Sequence, residues 1–464
     1  MEEKKKKNIW ILFFAIAFFS GLGITPKKSN FLLFAQETVL EKSEYPSIEP
    51  IFIPQEFLKI EKIPTKLSPE EFVQISLLYS ECVPGSNTYD QCLGKFYKLR
   101  EAVTDSQIIA LSEQERGRQI LKIIYENVLT HYEANQTRLD VALQTGSYNC
   151  VSSALIYMAV AKAAGLDVRG QKTPNHAFCS VYIGGKKIDV ETTNPYGFNP
   201  GSKESIEKEN EIKGYYIVPK TYYSNRQEVS DVLFAGLVAG NICSDCVEKN
   251  NYKKAVPLGA ARYLAVKDEK TKAAAEVRKD FDVLAANFVN ILPENANAFI
   301  PKLEWYCSFV NRWGMTDFLQ NNMDNAVNNL LVLCYDEKNY KLADEGWNKF
   351  KDFVSVRRLS AMEEMLVDIF IASLNNLMNS HKYNEGYETA THALSQIPDS
   401  TKIKSMQKSF YNNCIATIHN NFAEAANARN YEKARRILND GLNEFPNDKT
   451  LNKDYSDLKK VMGE

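Results

Sequence analysis

The sequence predicts an α+β core, with helices packed on a small antiparallel sheet, followed by an all-α domain of helical hairpins. Three observations carry this. An alanine-rich apolar run at 150–165 precedes two alternating segments joined by Gly184-Gly185, a strong hairpin signal. From about residue 228 to the end the apolar spacing is helical. Within that half a short tyrosine motif recurs.

The chain has 464 residues, room for two or three domains, and is 44% apolar, enough for a sizeable core. With 56 Lys and Arg against 58 Asp and Glu, the net charge is −2, which leaves no electrostatic footprint for nucleic acid.

At the N-terminus Lys4, Lys5, Lys6 and Lys7 precede the apolar run 8–24, the pattern of an export signal. The run is also just long enough to span a bilayer. Residues 1–36 are therefore expected to be a signal peptide, cut after Ala35 or Gln36, or an uncleaved membrane anchor with its lysines in the cytoplasm. The protein is expected to be exported, periplasmic or at the cell surface. Residues 37–66 contain Pro46, Pro50, Pro54 and Pro64 and read as an extended linker.

The first domain is expected over 67–225. Ser68, Pro69 and Glu71 form a capping box with proline at the first helical position. Two further helices follow, the second with Ile120, Leu121, Ile124, Val128 and Leu129 on one face. Gly165 ends the helix that begins near Cys150. "HAFCSVYI" and "KKIDVETT" are the hairpin strands, and "GYYIVPKTYY" is a candidate third strand.

The second domain is expected over 228–464. "NNYKKAV", "KNYKLAD", "HKYNEGY" and "RNYEKAR" place Tyr252, Tyr340, Tyr383 and Tyr431 three residues before a small residue. The flanking helices resemble tetratricopeptide-type hairpins with longer, irregular units. Stacked hairpins offer a surface for a protein or peptide partner.

Export gives the nine cysteines meaning, and their odd number leaves at least one thiol free unless a bridge forms between chains. Cys82 and Cys92 flank a loop-like segment that a disulfide could close. Cys243 and Cys246 are a lone CxxC, read as buried helix residues or a structural disulfide. Cys307, Cys334 and Cys414 lie in apolar helical patterns and are assigned to the core.

Cys150 differs from these. It follows the turn-like "TGSYN" and opens a helix, where free N–H groups and the macrodipole favour a thiolate and can receive an oxyanion. Of the five histidines, His176 alone stands at a strand start beside this helix. A two-residue turn at Gly184-Gly185 pairs Ile183 with Lys186, and so sets His176 opposite Thr193 and Phe178 opposite Glu191. Alternation then puts His176, Asp189 and Glu191 on one face, and Cys179 on the other, in the core. Glu191 is a diagonal neighbour of His176, at about 7–8 Å between backbones. Asp189 is roughly 13 Å along the strand from the position facing His176. Glu191 is the preferred orienter of the imidazole and Asp189 the alternative.

"YNCVSSALIYMAVAKAAGL" followed by "HAFCSVYIGGKKIDVETT" resembles the transglutaminase-like core of the papain-like cysteine fold. The resemblance covers roughly 115–200. It implies Cys150 as nucleophile, His176 as base and Glu191, the acid before "x-Thr", as third member. The family usually has Asp there, and its hairpin tryptophans are replaced by Phe178 and Lys187. Gln144 stands where papain-like proteases keep an oxyanion glutamine. The implied function is acyl transfer on a protein or peptide substrate, by a peptidase or amidase, with no metal or cofactor. The alternative is a catalytically degenerate module in an interaction scaffold.

Overall fold

The computed structural model describes residues 45–51, 66–199 and 223–463. The basic and apolar segment 1–36, most of the linker and most of "GYYIVPKTYY" lie outside them. Among the described residues no helix is long and apolar enough to cross a membrane. The chain divides into two compact units, 1–288 and 289–464.

The first unit is α+β. Its helices are α1 (Pro69–Tyr79), α2 (Asn87–Val103), α3 (Ser106–Ile109), α4 (Glu113–Asn127), α5 (Leu139–Thr145), α6 (Cys150–Ala163), α7 (Asp231–Ala235), α8 (Leu237–Glu248), α9 (Tyr252–Val266) and α10 (Lys272–Asn290). Its strands are β1 (His131–Tyr132), β2 (Ser147–Tyr148), β3 (Asp167–Lys172), β4 (Ala177–Ile183), β5 (Lys186–Val190) and β6 (Gln227–Val229). The capping box at Ser68 forms: its Oγ accepts from Glu71 N at 3.3 Å, and its own N–H donates to Glu71 Oε2 at 2.8 Å.

β5, β4, β3 and β6 form one antiparallel sheet in that order, and β1 pairs with β2 in parallel. Ile183 pairs with Lys186 and Cys179 with Val190, the register that the Gly184-Gly185 turn dictates. Both turn glycines have positive φ, as a two-residue hairpin of this kind requires. One face of the sheet carries Val168, Cys179, Val181 and Val190, all buried. It lies against α6, which is buried on every side from Val151 to Ala161, as expected of a helix apolar all round. The other face carries Arg169, Gln171, Phe178, Ser180, Tyr182, Lys187 and Asp189.

The expected boundary near 228 is not where the chain divides. Residues 231–288 belong to the α+β unit, because several contacts lock them to the core. Asp231 accepts the N–H of Leu67 at 2.6 Å and forms an ion pair with Lys162 of α6. Phe234 packs flat on Gly170 of β3, where a Cβ would lie only 2.3 Å from the ring. The described part of the linker is also docked here: Ile51 N–H donates to Pro257 O at 3.0 Å, and the Tyr45 ring meets Phe288 edge-on at 6.1 Å.

The second unit is all helical: α11 (Ala296–Trp313), α12 (Asp317–Asp336), α13 (Tyr340–Phe350), α14 (Val356–Asn379), α15 (Tyr383–Gln396), α16 (Thr401–Asn427), α17 (Tyr431–Glu444) and α18 (Lys449–Met462). The tyrosine motif has one geometry in all four places. Each tyrosine is the first residue of a helix. Two positions earlier stands a left-handed residue: Asn250, Lys338, His381 and Arg429, with φ of 53°, 54°, 55° and 58°. Next to each, the N–H of Asn251, Asn339, Lys382 or Asn430 returns to a carbonyl of the preceding helix at 2.7–3.0 Å. The small residue three positions after each tyrosine is buried, as Ala255, Ala343, Gly386 and Ala434. At Gly386 a Cβ would meet the Phe410 ring at 2.1 Å, so only glycine allows that approach. The first of these hairpins is built into the α+β unit and the other three into the second unit.

Phe234 is fully buried on Gly170. Phe234→Ala should therefore destabilise the α+β unit by about 3–5 kcal/mol. Urea unfolding checks this, and a change under about 1 kcal/mol would contradict the assignment of 231–235 to this core.

Candidate active site

Cys150 is the first residue of α6 and is half-buried. The helix starts there because Asn149 caps it: Asn149 Oδ1 accepts from Val151 N at 2.9 Å and Ser152 N at 3.2 Å, and Ser152 Oγ accepts from Asn149 N at 3.0 Å. The β1–β2 pairing brings the chain into this cap.

His176 sits just before β4. A tight turn through Pro174 and Asn175 places it, with Thr173 N–H donating to His176 O at 2.9 Å. The ring is buried and stacks on Phe178, centroids 5.9 Å apart. Its Nε2 meets Glu191 Oε2 at 2.8 Å, and the Cys150 thiol is near enough to help raise the imidazole pKa. With Nε2 held by the carboxylate, Nδ1 is the nitrogen left for sulfur. Burial pushes the imidazole pKa down, but the Glu191 charge and the hydrogen bonds to Cys150 and Glu191 outweigh it and raise it to about 10.

The β4–β5 ladder ends at Cys179 and Val190, so Glu191 reaches His176 from just beyond the strand. There the chain turns: Glu191 N–H donates to Gly197 O at 2.8 Å, and a Cβ on Gly197 would stand 1.8 Å from Glu191 O. Glu191 Oε1 accepts from Thr193 N at 3.0 Å and Thr193 Oγ1 at 2.7 Å. Burial raises the pKa of this carboxyl, but the imidazolium and the hydrogen bonds from His176, Tyr223 and Thr193 hold it below the ordinary value. The loop is tied to the cysteine segment. Ser153 and Thr192 hydroxyls meet at 3.0 Å, and the Tyr125 and Tyr148 hydroxyls donate to Thr192 O and Thr193 O at 2.9 and 3.2 Å.

Asp189, the alternative orienter, is not at the imidazole. It accepts from Ser180 Oγ at 2.9 Å and pairs with Arg226 at 2.6 Å. Register explains this: Asp189 faces Ser180, two pairs beyond Phe178 along the hairpin. Gln144 is likewise elsewhere. It is exposed, with its amide on Gln91 Oε1 at 3.3 Å. The helix-end N–H groups of Val151 and Ser152 are taken by Asn149. That leaves the N–H of Cys150 itself as the donor beside the sulfur. Cys179 lies on the opposite face, its thiol against Ala154 O at 3.5 Å, as the alternation requires.

Sequence reasoning missed Tyr223 and Arg226. Tyr223 donates to the same Glu191 oxygen that meets His176, and its ring stands edge-on to His176 at 5.5 Å. The Arg226 guanidinium lies 5.1 Å over Phe178 while held by Asp189. The four-residue span 223–226 thus sets Tyr223 against the imidazole and Arg226 over Phe178. The aromatic-rich run before it carries no spacing that distinguishes a carboxylate partner from a strand residue.

No family model matches the chain, and no curated protein does. Among solved structures it is similar to a crystal structure of menin, one described as revealing the binding site for Mixed Lineage Leukemia (MLL) protein. The identity is 13%, over 78% of this chain and 81% of that one, with a TM-score of 0.33. At that score the likeness bears on neither fold nor function. What the geometry defines is an α+β unit that groups a thiol, an imidazole and a buried carboxylate.

The raised imidazole pKa contributes stability that is complete below the unfolded value of 6.5 and lost as pH rises towards about 10. The lowered Glu191 pKa contributes stability present above 4.5 and lost as pH falls. Urea unfolding of the α+β unit should therefore show a decline between pH 6.5 and 10 that His176→Gln removes. Glu191→Gln should cost about 1.5–3 kcal/mol, as loss of a buried charged acceptor does. Asp189→Asn, at a half-exposed pair, should cost under about 1 kcal/mol. Equal costs would overturn the assignment of Glu191 as the partner of His176.

Proposed function

We propose that this protein is an exported, cysteine-dependent acyl-transfer enzyme, a peptidase or amidase, on a transglutaminase-like core of the papain-like fold. One observation carries the reading. A buried imidazole is held by a carboxylate through Nε2, and its pKa responds to the thiol of a helix-opening cysteine beside it. That is the order of contacts a thiolate nucleophile needs.

For the reaction the thiol proton passes from Cys150 to His176, whose raised pKa lets it hold that proton while Glu191 fixes the ring. The Cys150 thiolate attacks an amide carbonyl, and the N–H of Cys150 faces the developing oxyanion. The His176 imidazolium, held in orientation by Glu191, gives its Nδ1 proton to the leaving amine. The neutral imidazole then takes a proton from water, which attacks the thioester, and the acid leaves with the thiolate restored. The expected substrate is a peptide or isopeptide bond. The hairpins of the second unit are proposed to hold a protein or peptide, and the segment 1–36 to carry the chain through, or leave it anchored in, a membrane.

A second reading is favoured by the oxyanion side. With Gln144 elsewhere and two helix-end N–H groups capped, the Cys150 N–H lacks an identified second donor among the described residues. A peptide-holding module that no longer turns over would look this way. Iodoacetamide labelling separates the two. For the enzyme, Cys150 should label at near-neutral pH faster than a free peptide thiol, and His176→Ala should move the profile to higher pH. Acyl-enzyme trapped on Cys150 from a native extract, identified by mass, would name the substrate class. Labelling no faster than a peptide thiol would leave the holding module.

A further inference from the structure

Away from the candidate site, two buried thiols meet. Cys82 follows α1, where Glu81 takes a left-handed φ of 61° and the Cys82 N–H returns to Leu77 O at 2.9 Å. Cys92 lies in the second turn of α2, with its thiol directed to Asp140 O at 3.7 Å. Their relative exposures are 3% and 0%, both are free, and they lie close enough that their interaction raises the Cys82 pKa and lowers that of Cys92. The chain between them is an exposed loop at Val83, Pro84 and Gly85, closed by Ser86 Oγ donating to Val83 O at 2.7 Å. The other close-spaced pair differs: Cys243 and Cys246 sit one turn apart on α8, and the Cys243 thiol bonds Ala255 O at 3.4 Å.

We propose that Cys82 and Cys92 are the site of a disulfide that closes the α1–α2 loop. The step is thiol–disulfide exchange with a small-molecule or protein disulfide. One of the two thiols, as thiolate, attacks the external S–S bond and expels one external thiol. The second then attacks the mixed disulfide and expels the other. Cys82 and Cys92 lose two electrons and two protons, and the external disulfide gains them. Cys82 lies just past α1 and Cys92 in α2, and the two buried thiols already interact with each other, as the pair to be joined must. Arg138 joins Glu81 at 3.0 Å and Asp140 at 2.9 Å, tying this corner to the start of α5. The inference does not depend on the acyl-transfer reading.

Full-length protein is equilibrated with oxidised and reduced glutathione, alkylated without reductant and digested with trypsin. The peptide 67–95 contains both cysteines and should be lighter by two hydrogens and carry no alkyl group. In urea, the oxidised protein should unfold with an equilibrium constant roughly a hundredfold smaller than the reduced one, as closing a loop of this length predicts. Cys92→Ser should abolish that difference while keeping the fold by circular dichroism. Alkyl groups or glutathione on both Cys82 and Cys92, in a protein still folded, would overturn the proposal.

Discussion

The contact between His176 and Glu191 constrains most of what surrounds it. A carboxylate and an imidazole removed from water are tolerated only when every acceptor and donor is answered. Glu191 is answered by His176, Tyr223 and both donors of Thr193. Thr192 and Thr193 are in turn pinned by Ser153, Tyr125 and Tyr148, which belong to the cysteine helix and the segments leading into it. The thiol and the acid, distant in sequence, are thus held by hydroxyl groups that meet neither the sulfur nor the imidazole. Gly197 follows from the same constraint, since no side chain fits where its backbone closes on Glu191.

The sheet divides the work between its faces. Its inner face packs a helix that is apolar all round, and this holds Cys150 at a fixed height above the strands. The outer face is polar at one end and aromatic at the other. Arg169, Glu228, Tyr182 and Lys187 form a linked charged group, with Arg169 Nη1 2.9 Å from Glu228 and Tyr182 Oη 2.6 Å from it. The aromatic end is His176, Phe178 and Tyr223. Asp189 and Arg226 stand at the join, where Asp189 holds Arg226 over Phe178.

The parts legible in the sequence were those written by local rules. The Gly184-Gly185 turn sets the hairpin register, and from that alone Glu191 ranks ahead of Asp189. The Ser68 box and the tyrosine motif are equally local. The parts that were not legible depend on distant partners. β3, "DVRGQK", reads as polar, yet it lies inside the sheet, because Val168 and Gly170 face the core while Arg169 pairs with Glu228 of β6 and Lys172 with Glu276 of α10. Gln144 has the spacing of a site residue but sits on a face of α5 that points to α2. The domain boundary was misplaced for the same reason: the helical periodicity of 231–288 says nothing of which core receives it, and Gly170, Leu67 and Lys162 decide that.

The four tyrosine turns share backbone angles and return hydrogen bonds, yet their left-handed residues are Asn, Lys, His and Arg. None is glycine, so the bend does not rely on a residue free of steric preference; the atoms of the main chain and the buried small residue suffice to specify it. Such a bend is a portable joint. It works inside an α+β unit and inside an all-helical one, against different neighbours. A chain built from joints of this kind can change its number of helical arms without redrawing the pieces that hold its sulfur and its imidazole together.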